Sequence, residues 1–252
     1  MRAVLALLLL PLAAPAQTLI AHTCQDHSSN TSFTTTAINT NTANFIAVDM
    51  EAYDGGGSVT FSLSDSQSNT WHPLTSYFNN SGGTIQMSYA QAAAVGSSHT
   101  FTGSITAGST NGFTICVQAW KGLLASGVFQ SGTDQGANGS GTSDTTPTVT
   151  PQQSAVVISG LAALCASCNN PISVTNGFTI SDSIQITQAA PSWPLSGMAY
   201  NITAAAASTT WSYGTNLFNA VNIAVFLAPA SGGSKMKKLL RLDARLPLER
   251  GD

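Results

Sequence analysis

Polar and apolar residues alternate with a period of two along most of this chain. Residues 45–53, 58–64, 98–105 and 113–120 each alternate or run apolar for the length of a strand, and Gly, Asn and Ser clusters separate them. The same signature continues over 155–161, 178–180, 183–187, 198–203 and 221–227. Helical windows are few: 90–95 and 204–207 have the propensity, but each sits directly before a strand. Many short strands at close spacing predict an all-β chain folded as an antiparallel, jelly-roll-like β-sandwich.

The two halves correspond weakly. Met87-Ser-Tyr89 matches Met198-Ala-Tyr200 at an offset of 111 residues, and Thr100-Phe101 matches Thr210-Trp211 at 110. Ile115-Cys-Val117 matches Ile223-Ala-Val225 at 108, and Ser64-Asp-Ser66 matches Ser181-Asp-Ser183 at 117. Four ordered matches suggest quasi-repeats near 44–122 and 154–228, with chance matching in a Ser/Thr/Ala-rich chain as the competing explanation. The segment between them, 132–151, is Gly/Ser/Thr-rich and reads as a linker or a long surface loop. Each half offers a single cystine candidate and few strands, which favours one sandwich domain over 17–232.

Charge divides the chain further. Only 8% of the 252 residues are charged, and between Gln17 and Gly232 the one cation, Lys121, faces eight acids, for a net charge of −7. Such a body cannot neutralise a phosphate backbone, which excludes nucleic acid as its partner. Residues 233–252 form a basic tail with six cations and three acids. At the other end Arg2, a short apolar run and Ala14-Pro15-Ala16 predict a secretory signal peptide over 1–16, hence a secreted, extracellular or cell-surface protein. That run is too short to span a bilayer, and no other window is long and apolar enough to embed the body in a membrane.

Export changes how the cysteines read. Cys24, Cys116, Cys165 and Cys168 are an even set in an oxidising compartment, and the preferred pairing is a long Cys24–Cys116 bridge with a small 165–168 staple. Asn169-Asn170-Pro171 opposes the helix that a redox Cys-x-x-Cys would open.

Several stretches are familiar together: Leu19-Ile-Ala-His-Thr-Cys24, Ser64-Asp-Ser-Gln-Ser-Asn-Thr-Trp71, Ile115 to Trp120 with Lys121-Gly122, and Val221 to Leu227. They resemble a group of secreted bacterial β-rich domains that recur in surface and extracellular proteins, marked by a "tvsDsqGNtw" hairpin. The resemblance implies a β-sandwich and an extracellular setting rather than an activity. Ser68 stands where the group has glycine before Asn69, and Lys121 precedes Gly122.

The sharpest chemical constellation is Asp49-Met-Glu51-Ala-Tyr-Asp54, followed by three glycines. On a strand Asp49 and Glu51 share a face, and a bulge could bring Asp54 alongside. The order resembles the acid strand of retaining jelly-roll β-glucanases, where two carboxylates flank a glycosidic bond, but with Asp at the outer positions and Glu inside. The other two expectations are a calcium site, Ca2+ being the only cofactor the cluster suggests, and a solvent-facing strand beside a Gly-rich turn. No G-x-S-x-G elbow is present, and His22, His27, His72 and His99 are scattered. Trp71, Tyr77, Trp193 and Trp211 lie at strand ends or turns, where rings could stack on a glycan; Trp120 reads as core.

The expectation is therefore a non-catalytic structural or adhesive module, whose partners are further copies of itself or cell-surface and matrix components. Residues 18–23 form an early strand that either pairs in its own sheet or adds to a neighbouring copy, which would build filaments through edge strands. The alternative is a glycan-binding or β-glucan-cleaving jelly roll using Asp49, Glu51 and Asp54.

Overall fold

β-branched and aromatic residues at alternate positions, punctuated by Gly and Asn, leave strand as the conformation that buries one face of each segment. The computed structural model describes residues 16–27, 31–53, 57–79, 83–108, 110, 112–165, 172–185 and 193–230, with backbone alone at 164, 165, 185, 193, 194 and 214–217. Residues 1–15 of the expected signal peptide, Asp54, Cys168 and the basic tail lie outside the described residues.

All regular elements among them are strands. The first half contains β1 (Thr18–His27), β2 (Ser32–Thr34), β3 (Phe45–Tyr53), β4 (Thr60–Asp65), β5 (His72–Asn79), β6 (Gly83–Gln91), β7 (Phe101–Ala107) and β8 (Gly112–Lys121). The second contains β9 (Gln135–Thr145), β10 (Ala155–Cys165), β11 (Ser173–Val174), β12 (Thr179–Gln185), β13 (Trp193–Thr203) and β14 (Thr210–Leu227). One large sheet has the order β1-β8-β3-β6-β5 and the other β11-β14-β10-β13-β12, with β9 also on β14; a small sheet is ordered β2-β7-β4. Every pairing is antiparallel.

The sheets stack in layers. Ile46, Val48 and Met50 on one face of β3 meet Phe101 and Ile105 of the small sheet. On the opposite face Phe45 and Ala47 join Met87 and Trp120 against Val156, Ile158, Met198 and Phe226 of the second large sheet. Burying such rings and aliphatic chains is worth about 1.5–3 kcal/mol each. The far side of that sheet is covered by β14 itself. Its 18 residues bend where the register with β9 shifts between Ser212 and Leu217, so that Trp211 and Tyr213 lie over Val157, Leu161 and Ile223. Trp211 donates its indole N–H to Ser159 Oγ at 2.9 Å.

The strand pairing repeats. β8, β3, β6 and β5 neighbour one another in the order that β14, β10, β13 and β12 do, while β2-β7-β4 corresponds to the end of β9, the start of β14, and β11. Phe45 opposite Gln91 becomes Val156 opposite Ile202, an offset of 111 on both strands. Loop contacts repeat as well: Thr35 N to Phe101 O and Phe101 N to Thr35 Oγ1 reappear as Thr146 N to Thr209 O and Thr209 N to Thr146 Oγ1. Met87 and Met198 are equivalent in this frame. The other three matches are out of register: Asp65 ends β4 while Asp182 lies on β12, the counterpart of β5; Phe101 corresponds to Thr209 and not to Trp211; and Cys116 corresponds to Asn222 and not to Ala224.

The first strand pairs in its own sheet and is fastened to it by the Cys24–Cys116 disulfide. Each edge of that sheet has a backbone N–H capped by a carboxylate of the same chain. Cys24 N donates to Asp182 Oδ2 at 2.9 Å on the β1 side, and Thr75 N donates to Asp134 Oδ2 at 2.6 Å on the β5 side.

Candidate functional site

Asp49 and Glu51 do share a face of β3, but that face is internal. Their relative exposures are 0% and 3%, which corrects the solvent-facing expectation. The odd residues of β3 continue the row of Phe45 and Ala47 that packs on the second large sheet, so period two places both carboxyl groups between the layers. Asp49 points at Gly160, where a Cβ would stand 1.8 Å from its Oδ2. Asn222 links the two, donating to Asp49 Oδ1 at 3.0 Å and accepting from Gly160 N at 2.7 Å. Asp49 Oδ2 and both Glu51 oxygens have no hydrogen-bond partner among the described residues. The Ser196 hydroxyl, which donates to Thr114 Oγ1 at 3.1 Å, stands near enough to favour the Glu51 anion without a directed bond.

Burial controls the protonation of this pair. Desolvation pushes Asp49 up to about 8, against the Asn222 hydrogen bond and with a smaller contribution from the Asp134 charge. Desolvation first, then the proximity of Asp49, raises Glu51 well above the carboxylate range. Neutral carboxyl groups fit an apolar site flanked in register by Met87, Ile85 and Met198. A glucanase pair must flank a sugar in an open cleft, which a sealed inter-sheet position does not offer. Calcium takes six to eight oxygens, and no set of three His, Cys, Asp or Glu side chains gathers among the described residues.

The aromatic candidates disperse. Trp211 is 0% exposed and part of the core, so it is removed from the glycan-stacking set. Tyr77 is half-buried and lies over Gly136, where a Cβ would come within 2.3 Å of the ring. Its hydroxyl donates to Asp134 Oδ1 at 3.4 Å, and burial with that negative neighbour pushes it up to about 12. Trp71 donates its indole N–H to Asp65 Oδ2 at 2.8 Å and meets Phe101 edge-on. The side chain of Trp193 is outside the description.

Asp65 explains the hairpin motif. Its Oδ1 accepts from Gln67 N at 2.7 Å and Asn69 N at 3.3 Å, and buried His99 Nε2 lies 3.3 Å away. Asn69 then clasps Ala94 through both its amide oxygen and nitrogen. Ser68 has φ +58°, a conformation glycine adopts without strain.

The feature that motif reading misses is a hydroxyl face. Apart from exposed Ala107 at the end of β7, every outward side chain of β2, β4 and β7 is Ser or Thr, while Phe33, Phe61, Leu63, Phe101 and Ile105 point inward. Cross-strand registers align them in rows, Ser32–Ser104–Ser62 and Thr34–Thr102–Ser64. Oγ atoms meet at 2.7 Å in both the Ser32–Ser104 and Thr34–Thr102 pairs. On the other half Ser143–Ser212–Ser173 form one row and Thr145–Thr210–Thr175 a second, with Thr145 and Thr210 Oγ1 atoms 2.8 Å apart and Thr175 Oγ1 accepting from Thr210 N at 3.1 Å. All six positions of the second face correspond to those of the first, at 111 on the flanking strands and 108 on the central one. The central residues are half-buried and the flanking ones exposed on both faces. The available signal was Ser or Thr at i, i+2 and i+4, hidden by their abundance everywhere else.

Comparison with family models, with curated proteins and with solved structures returns no match.

Proposed function

We propose that this chain is a non-catalytic extracellular or cell-surface module with a structural and adhesive role. The observation that carries it is the hydroxyl face present in both halves at corresponding positions. The inner contacts of the halves diverge: Asp49 corresponds to Gly160, Cys116 to Asn222 and Phe33 to Asp144. Cross-strand hydroxyl pairs add only about 0.2–1 kcal/mol each to a sheet, so their presence at corresponding positions in both halves fits a role at the surface. The disulfide that fastens β1 suits an oxidising compartment. The carboxylate caps at Cys24 N and Thr75 N interrupt the edges of the first large sheet, which favours contact through faces over filament growth through those edges.

The test is a β-glucan panel incubated with the full chain, with released reducing sugar as the readout. No release is expected; hydrolysis that Glu51→Gln abolishes would contradict the non-catalytic role.

A further inference from the structure

We infer that the two hydroxyl faces are contact surfaces for a neutral, hydroxyl-bearing polysaccharide, and that the module bridges two such surfaces. This rests on the adhesive role proposed above and names its partner.

The first support is chemical. Each Ser or Thr hydroxyl is both a donor and an acceptor, the same capacity a sugar hydroxyl has. The rows carry no charged side chain, and the body around them is net negative even with Asp49 and Glu51 protonated, so an anionic polymer is repelled while a neutral one is not. Three of the four half-buried central residues, Thr102, Ser104 and Thr210, are held by cross-strand hydroxyl pairs, which orders them before any partner arrives.

Periodicity is the second support. Hydroxyls repeat at about 4.8 Å across the strands and at about 6.8 Å along them, two residues apart. A linear glycan laid across the strands meets one hydroxyl roughly every sugar ring, with the neighbouring row as a parallel track. Individual hydrogen bonds of this kind are worth about 0.5–1.5 kcal/mol net, so a long polymer held at many weak contacts is the fitting partner, rather than a small sugar in a pocket.

Placement is the third. The small sheet covers one outer side of the first large sheet, and the bent β9–β14–β11 strip covers the outer side of the second. The two large sheets pack on each other between them. The hydroxyl faces are therefore the outermost surfaces of the first and last layers and face away from one another, the arrangement a cross-bridge requires.

The experiment uses the full chain with microcrystalline cellulose and chitin for pelleting, and cellulose nanocrystals for bridging, read as turbidity. Thr34→Lys marks the first face and Thr145→Lys the second; Ser62→Lys and Ser173→Lys are independent replacements on each, and circular dichroism with thermal melting verifies folding. Wild type is expected to pellet with a neutral polysaccharide and to raise nanocrystal turbidity. Either single-face variant should still pellet but lose bridging, and the double variant should lose at least tenfold in pelleting. A folded double variant that pellets like wild type overturns the assignment. So does wild type that pellets with neither polymer, in which case thermal hysteresis lost in the double variant would reassign the lattice to ordered water. Hydrolysis of the pelleted polymer would instead overturn the non-catalytic role itself.

Discussion

Asp49 and Glu51 show how far one residue's identity can mislead and its position correct. Their spacing on one strand face was legible from period two; which face that is depends on the second half of the chain, through Gly160 and Asn222. Because the folded-state values of both acids lie above their unfolded ones, the protonated pair contributes stability in full below the unfolded carboxylate range of about 4. That contribution is lost as pH rises through about 8, where Asp49 ionises. Asp26 and Asp144, also raised by burial, act in the same direction. His99, held below its ordinary value chiefly by burial, opposes them at the acid end. Thermal melting should therefore give a lower Tm at pH 8.5 than at pH 6. The drop should be smaller in the Asp49→Asn/Glu51→Gln variant, and an unchanged slope would place the titration elsewhere.

At the scale of elements, most strands announced themselves because hydrophobic alternation is a local signal. The core ring Trp120 and the Cys24–Cys116 pairing agreed with the sequence for the same reason: apolar strand ends and an even cysteine set constrain their own surroundings. Trp211 did not, since its burial depends on a bend in β14 that folds the strand's first turn of residues over its own sheet. The edges were equally illegible, because Asp134 and Asp182 reach β5 and β1 from distant segments. Removing these caps should expose edge N–H groups to a neighbouring copy. Asp134→Ala and Asp182→Ala are expected to associate at concentrations where wild type remains at its own sedimentation coefficient. Sedimentation velocity checks this, and identical profiles would assign the carboxylates no protective role.

The whole molecule is a layered repeat in which the two large sheets present corresponding inner faces to one another. In the sequence only the Met87–Met198 match lay in the register of the fold; the rest of the repeat was hidden because the offset changes from strand to strand and the shared residues are mostly small hydroxyls. That same degeneracy concealed the surface now assigned to contact, since Ser and Thr at alternate positions are unremarkable until cross-strand register aligns them. On the proposed function, the outer hydroxyl faces and not the sealed acids meet the partner. Side-by-side binding isotherms on microcrystalline cellulose or chitin test it most directly, using wild type, Asp49→Asn/Glu51→Gln and Thr34→Lys/Thr145→Lys. The expected result is unchanged binding for the folded acid variant and at least tenfold weaker binding for the face variant. Loss in the acid variant with full binding by the face variant would contradict it.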